Sequence, residues 1–195
     1  SHFELEDFGK AEQKFSALAG GEGIIAAKSN LWWGRIHSRG KGNYERAAQI
    51  LGEAVKRLNK SGTSLHNAPI IDDLEFDYAN ALMGSKKPEW KLAAAALAHV
   101  EGRGKFGQMA EVVAQRATCL HKLKDYNNSL RSADVFISRF ADHPLAGDSR
   151  FLRGENLFLL NRGDEAAKAY TEFIASHKDH ASVFAAQMRI AQVHH

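Results

Sequence analysis

Apolar residues recur along most of the chain at spacings of three and four residues. Such spacing places them on one face of an α-helix. Around residues 110–140, two successive stripes each contain small and large side chains, most of them apolar: Val113, Ala117, Leu120 and Leu123, then Tyr126, Ser129, Ala133 and Phe136. Asp125 stands between the stripes, where it can cap the second helix. The pattern predicts two antiparallel helices whose small residues allow close approach.

The second stripe recurs at a fixed interval. Phe173 follows Phe136 by 37 residues, and the dipeptide Asp179-His180 follows Asp142-His143 by the same 37 residues. Weaker copies lie upstream, around Trp90 and Tyr44. A period between about 30 and 45 residues in a helical chain is typical of stacked helix pairs.

The repeats predict an all-α protein: a right-handed α-solenoid of about four helix pairs with partial terminal helices. We expect one domain over residues 1–195, with a leading helix at 3–19 and a loop at 59–68. The expected helix pairs span 24–60, 69–100, 106–140 and 144–177, and a further helix starts within 181–195. The apolar stripe of that last helix has no second helix to cover it, so we expect the chain to be a fragment of a longer protein.

Charge adds a second pattern. The total is 26 Lys and Arg against 23 Asp and Glu, a net charge of +3, which is too small to indicate nucleic-acid binding. Residues 28–60 are strongly basic, residues 61–85 hold four acids and no Lys or Arg, and residues 86–131 are basic again. The blocks either steer a charged partner or are the solvated faces of helices.

Candidate chemistry is sparse. Cys119 is the sole cysteine and lies in an apolar helix pattern, which predicts a buried packing residue. His177 and His180 share one helical turn, but no third ligand is nearby, so surface histidines are favoured over a metal pair. We predict no catalytic residue, metal or cofactor. The apolar run from Leu92 to Ala98 is too short to cross a membrane.

The pattern of small residue, leucine, short turn, Asp-Tyr, small residue and phenylalanine resembles the tetratricopeptide repeat (TPR). Its residues here are Ala117, Leu120, Asp125, Tyr126, Ser129, Ala133 and Phe136. Val113 stands where the family usually has tryptophan. Residues 141–174 are also similar to bacterial envelope-type TPR proteins, such as the Tol-associated periplasmic factor and the outer-membrane assembly lipoproteins.

The TPR resemblance implies a groove lined by the first helix of each pair. The small position of each copy is Gly34, Ala79, Ala117, Gly154 or Ala191. Counting from these positions selects ten candidates: Arg35, Phe76, Asn80, Met83, Thr118, His121, Phe151, Glu155, Phe158 and Met188. The alternative is that the apolar members pack inside the protein. The resemblance implies that the protein is a non-catalytic scaffold that binds a peptide or helix of another protein. A homo-oligomer is compatible with this function. A structural spacer in a larger bacterial envelope protein is the alternative, and the compartment stays open.

Overall fold

The chain folds into successive α-helices, and most helices that are neighbours in the sequence pack against each other, as expected for an α-solenoid. A computed structural model describes the backbone of residues 5–60 and 69–193 and the side chains of 8–59 and 69–193. Within these residues there is no strand. The chain divides into two compact units, Ser1–Phe106 and Gly107–His195. The prediction of one continuous domain stays a prediction.

Among its described residues, 5–60 and 69–106, the first unit contains five helices and one irregular turn: α1 (Leu5–Ala19), α2 (Gly23–Arg35), a π-helical turn (Ile36–Gly40), α3 (Tyr44–Lys60), α4 (Pro69–Gly84) and α5 (Trp90–Arg103). Its core joins α2, α3 and α4 through Leu31, Leu51 and Leu74. Gly34 occupies the predicted small position, since an added Cβ would lie 2.5 Å from Leu51 Cγ.

The part of the second unit that the structure describes, residues 107–193, also contains five helices: α6 (Met109–Lys122), α7 (Tyr126–Arg139), α8 (Ala146–Leu159), α9 (Gly163–Ser176) and α10 (Val183–Val193). Leu157, Tyr170 and Phe173 form the centre of its core. The predicted cap is confirmed, because Asp125 Oδ1 accepts the backbone N–H of Asn128 at 3.3 Å.

Several element boundaries differ from the sequence prediction; the pair expected at 69–100, for example, extends to Arg103. Asn59 and Lys60, expected to begin the loop at 59–68, belong to α3, and residues 61–68 lie outside the described residues. The first helix of the pair expected at 24–60 ends as α-helix at Arg35 and continues as the π-helical turn, where the Lys41 N–H donates to the Ile36 carbonyl. One extra residue per turn is the signature of such a bulge.

The turn inside each pair of the second unit repeats in its backbone. Lys124 and Asn161 both have left-handed φ angles, of 62° and 57°. In each turn, the backbone N–H of the next residue donates to the carbonyl five positions earlier. Asp125 donates in this way to Leu120, and Arg162 donates to Leu157. This bond is the helix-terminating motif that closes around a left-handed residue. The 37-residue period therefore holds at the level of single hydrogen bonds.

The recurring Asp-His dipeptide closes each of these pairs. His143 and His180 each accept a backbone N–H at Nδ1, from Leu145 and Ser182. Each ring stands edge-on to the recurring phenylalanine of its pair, Phe136 or Phe173. The opposite nitrogen, Nε2, faces a carboxylate on the first helix of a pair: Glu111 at 3.7 Å for His143 and Asp148 at 3.2 Å for His180. We call this arrangement the histidine latch.

Candidate functional site

The acidic block of α4 is paired inside the first unit. Asp77, only 4% exposed, accepts Arg35 Nε at 2.5 Å and Arg39 Nη2 at 2.9 Å. Arg103 on α5 binds two other buried acids of α4, Asp72 and Glu75. These basic and acidic blocks therefore neutralise each other between α2, α4 and α5. For these residues, both sequence interpretations, partner steering and solvated faces, are replaced by intramolecular ion pairs.

The four groove candidates of the first unit have different surroundings. Phe76 is buried, with its ring centroid 5.1 Å from that of Phe106, so the core alternative holds for this residue. Asn80 Nδ2 donates to the Phe76 carbonyl at 3.0 Å, and Met83 is half-buried. Arg35 lies over the ring of Trp32, 5.2 Å from its centroid.

An apolar pocket of about 490 Å³ opens beside Arg35. We name it the Trp32 pocket, and it is lined by Phe8, Ala11, Phe15, Trp32 and Ile36, with Arg35, Arg39 and Gly40 also at its wall. Trp32 is 50% exposed. This pocket was not predicted from the sequence, although α1 carries Phe8, Ala11 and Phe15 on one face at spacings of three and four residues.

A single carboxylate fixes α1 against the helix that carries Trp32. Glu12 accepts Trp33 Nε1 at 3.4 Å, contacts His37 Nε2 at 2.8 Å and binds Lys41 Nζ. The hydrogen bond from Lys41, followed by those from Trp33 and His37, lowers the pKa of Glu12 to about 2 despite partial burial. The carboxylate is therefore charged at neutral pH and holds α1 in place.

In the second unit, the first helices of successive pairs share one face. Polar contacts connect α6 to α8: His121 Nδ1 lies 2.8 Å from Asn156 Oδ1, and Asn156 Nδ2 donates to Ser129 Oγ at 2.8 Å. Asn156 is fully buried, and these two contacts give both the oxygen and the nitrogen of its side-chain amide a hydrogen-bond partner. The arrangement fixes the orientation of the His121 ring.

Charged contacts connect α8 to α10. Arg189 donates to both oxygens of Glu155, at 2.9 and 3.1 Å, and its guanidinium lies 4.7 Å from the centroid of the Phe158 ring. Tyr170 donates to Glu155 at 2.6 Å. Burial alone raises the pKa of Glu155, but the bonds from Arg189 and Tyr170 lower it overall. Burial, followed by the bond to Glu155, raises the pKa of Tyr170.

We define the first-helix face of the second unit by its members on α6, α8 and α10: Thr118, His121, Glu155, Phe158, Met188 and Arg189. Met188 is 50% exposed, Phe158 is half-buried, and Thr118 Oγ1 donates to the Ala114 carbonyl. The remaining candidate, Phe151, is half-buried against Tyr170 and Phe173 and belongs with the core. Arg189 was not among the candidates, because counting from the small position of the repeat selected its neighbour Met188.

Two further expectations concern isolated residues. Cys119 is fully buried as predicted, and burial raises the pKa of its thiol to about 12. His177 and His180 are half-buried against Phe173 rather than solvated, with ring centroids 5.8 and 5.1 Å from it. Among residues 5–60 and 69–193, no group of three or more His, Cys, Asp or Glu residues is placed to hold a metal ion.

None of the helices in the described part of the chain combines the length and apolar character that a bilayer span needs.

No protein-family model and no curated protein sequence matches the chain. Among solved structures, it is similar to a Podosopora anserina protein of nearly identical TPR-like repeats described as a putative kinesin light chain. The TM-score is 0.63, with 15% identity over 85% of this chain and 84% of that one. A single-substitution variant of that protein gives a TM-score of 0.64. A MamA RS-1 ArsTM double mutant gives 0.56, with 12% identity over 96% of each chain. These likenesses show that the chain has the fold of TPR-like repeat proteins.

Proposed function

We propose that this protein is a non-catalytic scaffold that binds a peptide or helical segment of another protein. The TPR-like fold supports a protein-interaction role in general. The observation that carries the finer proposal is the first-helix face of the second unit, where Phe158 and Met188 lie beside the Glu155–Arg189 pair. Apolar side chains interleaved with charges match one face of an amphipathic segment.

The Glu155–Arg189 ion pair contributes ordered charged side chains to this face. Arg189 is held by two hydrogen bonds to Glu155, and Glu155 is held in turn by Tyr170. Because these side chains are already ordered, a partner that contacts them loses little conformational freedom in ordering them. The apolar neighbours supply the area that such a partner would bury.

The proposal is tested by selecting binders from a phage library of random 16-residue peptides on the full chain. The most enriched peptide is then synthesised and titrated by fluorescence anisotropy against three variants. We expect Phe158→Glu and Met188→Glu each to weaken binding by about tenfold or more, because a charge replaces an apolar contact. Circular dichroism verifies that each variant keeps its helices.

Leu159→Glu is the matched control. Leu159, like Met188, is exposed. It follows Phe158 directly in the sequence, so its side chain points about 100° away from that of Phe158 around α8. Its substitution should leave the affinity within about twofold, because exposed contacts outside an interface contribute little. A library that returns no binder contradicts the scaffold proposal. Enriched binders of which none is weakened by Phe158→Glu or Met188→Glu contradict the assignment of the binding surface to this face.

The alternative is a structural spacer or oligomerisation segment of a larger bacterial envelope assembly. It is favoured by α10, where Phe184 is 73% exposed and Met188 is 50% exposed. Apolar side chains this exposed are typical of a surface that another part of an assembly covers. In that case the peptide selection should return no binder specific for the first-helix face.

A further inference from the structure

We infer that the Trp32 pocket in the first unit accepts the apolar anchor of a partner segment that carries a carboxylate beside that anchor. The inference extends the proposed function by naming the chemistry of a partner, and it rests on that function. Its evidence lies in the first unit alone and uses none of the residues of the first-helix face.

The shape and lining of the pocket indicate an apolar occupant. Five of its lining side chains are apolar, and its volume of about 490 Å³ is comparable to sites that hold small organic groups. Trp32 leaves half of its surface exposed there. Filling the pocket with an aromatic or branched aliphatic side chain would remove this surface from water, which is favourable by about 25 cal/mol per Å².

The polar part of the lining indicates the charge of the partner. Arg35 and Arg39 are the charged residues at the wall, and both are oriented by the same buried carboxylate, Asp77. The side chain of Arg39 is 64% exposed, and the described contacts use only one of its five N–H donors. Guanidinium donors next to an apolar pocket are complementary to a carboxylate on the partner.

The pocket is held open by its surroundings. Glu12 binds Trp33, His37 and Lys41 and so holds α1, which carries Phe8 and Phe15, at the wall of the pocket. The π-helical turn forms the other wall, and an added Cβ at Gly40 would lie 3.2 Å from the Phe8 ring. Such bulges occur frequently at functional sites. A site that is already formed loses less free energy on binding.

The occupant we infer is a peptide rather than a small acid, because the inference rests on a proposed function in which the protein binds a segment of another protein. The two arginines can bind a carboxylate, but the remaining lining provides only apolar contact. A short apolar acid could satisfy the same chemistry, so the test includes sodium dodecanoate as a competitor.

The test uses peptides selected on the full chain as described above, and asks which of them depend on the pocket. We expect an enriched class with an aromatic or branched aliphatic residue within about four positions of Asp or Glu, which is one helical turn. For a peptide of this class, Trp32→Ala and Arg39→Glu should each raise the Kd about tenfold. Changing the peptide's acid to Lys should restore binding to Arg39→Glu and weaken binding to wild type.

Lys91→Glu is the matched charge reversal, because Lys91 is exposed on α5 and does not line the pocket. It should leave the Kd within about twofold, as expected for a charge outside the interface. Peptides that bind yet are indifferent to Trp32→Ala and Arg39→Glu overturn this inference while leaving the proposed function intact. A selection that yields no peptide overturns the proposed function itself. Binding of dodecanoate to the pocket with no pocket-dependent peptide overturns the peptide as occupant.

Discussion

At the scale of single residues, the positions where helices approach each other most closely are set by the absence of a side chain. Gly34 and Gly154 stand at equivalent small positions, and each faces a large core residue of the neighbouring helix. The sequence predicted both, because alanine stands at the same place in the clearest repeat. The residue in contact, Leu51 or Tyr170, was beyond prediction, since it depends on the rotation of a second helix.

Replacing Gly154 by alanine should destabilise the protein by about 2 kcal/mol, because the new Cβ would lie 2.5 Å from Tyr170 Cε1 and the buried ring has little room to move. Chemical denaturation followed by circular dichroism measures the change in the free energy of unfolding.

Gly102→Ala is the control for that substitution. Gly102 also lies within a helix, α5, but an added Cβ there meets no atom within 4 Å. Alanine loses less backbone entropy on folding than glycine, so this variant should be more stable by about 0.4–1 kcal/mol. Equal effects of the two substitutions would show that close approach of α8 and α9 does not limit the Gly154 position.

At the scale of an element, the histidine latch explains why Asp-His recurs in the sequence. The periodic pattern identified the dipeptide but assigned it no role. Both histidines bind the turn that follows, the phenylalanine of their own pair and a carboxylate on another helix. The carboxylate contacts join residues far beyond one helical turn, Glu111 with His143 and Asp148 with His180, which explains why local periodicity could not predict them.

The histidine latch predicts that substituting the histidine of the dipeptide destabilises the protein more than substituting the aspartate. His143→Ala and His180→Ala should each lower the free energy of unfolding by about 1–2 kcal/mol, through loss of hydrogen bonds and ring contact. His180→Ala should have the larger effect, since its Nε2 is closer to the carboxylate, at 3.2 Å against 3.7 Å. Thermal and urea denaturation at neutral pH measure both.

The adjacent aspartates provide the comparison. Asp142 and Asp179 are exposed, so Asp142→Ala and Asp179→Ala should change stability by no more than about 0.5 kcal/mol. If the aspartate variants lose as much stability as the histidine variants, the recurring dipeptide acts through something other than the latch.

At the scale of the whole molecule, the sequence predicted what depends on neighbours along the chain. The helices, their pairing and the fold class follow from apolar periodicity, and the solved TPR-like structures confirm the fold. The π-helical turn, the Trp32 pocket and the Arg35–Asp77 pair were not predicted. The pocket and the ion pair depend on side chains from helices far apart in sequence, such as Arg35 and Asp77, whose register no stripe of apolar residues determines.

The division into two compact units has a consequence for folding. Each unit has its own buried centre: Leu31, Leu51 and Leu74 in the first, and Leu157, Tyr170 and Phe173 in the second. In a chain of stacked helix pairs, stability is approximately a sum of repeat terms and nearest-neighbour terms. A piece that keeps whole pairs and their core should therefore keep most of its structure.

We expect a fragment of residues 107–195 to fold alone, with a helical circular dichroism spectrum and a cooperative urea transition. Phe173→Ala within the fragment should lower its stability by about 3–5 kcal/mol or abolish the transition, because the fully buried ring packs against Phe151, His177 and His180. Glu172→Ala, an exposed neighbour on the same helix, should leave the transition nearly unchanged. A fragment that is helical but unfolds without cooperativity would show that this core needs residues 1–106 to order it.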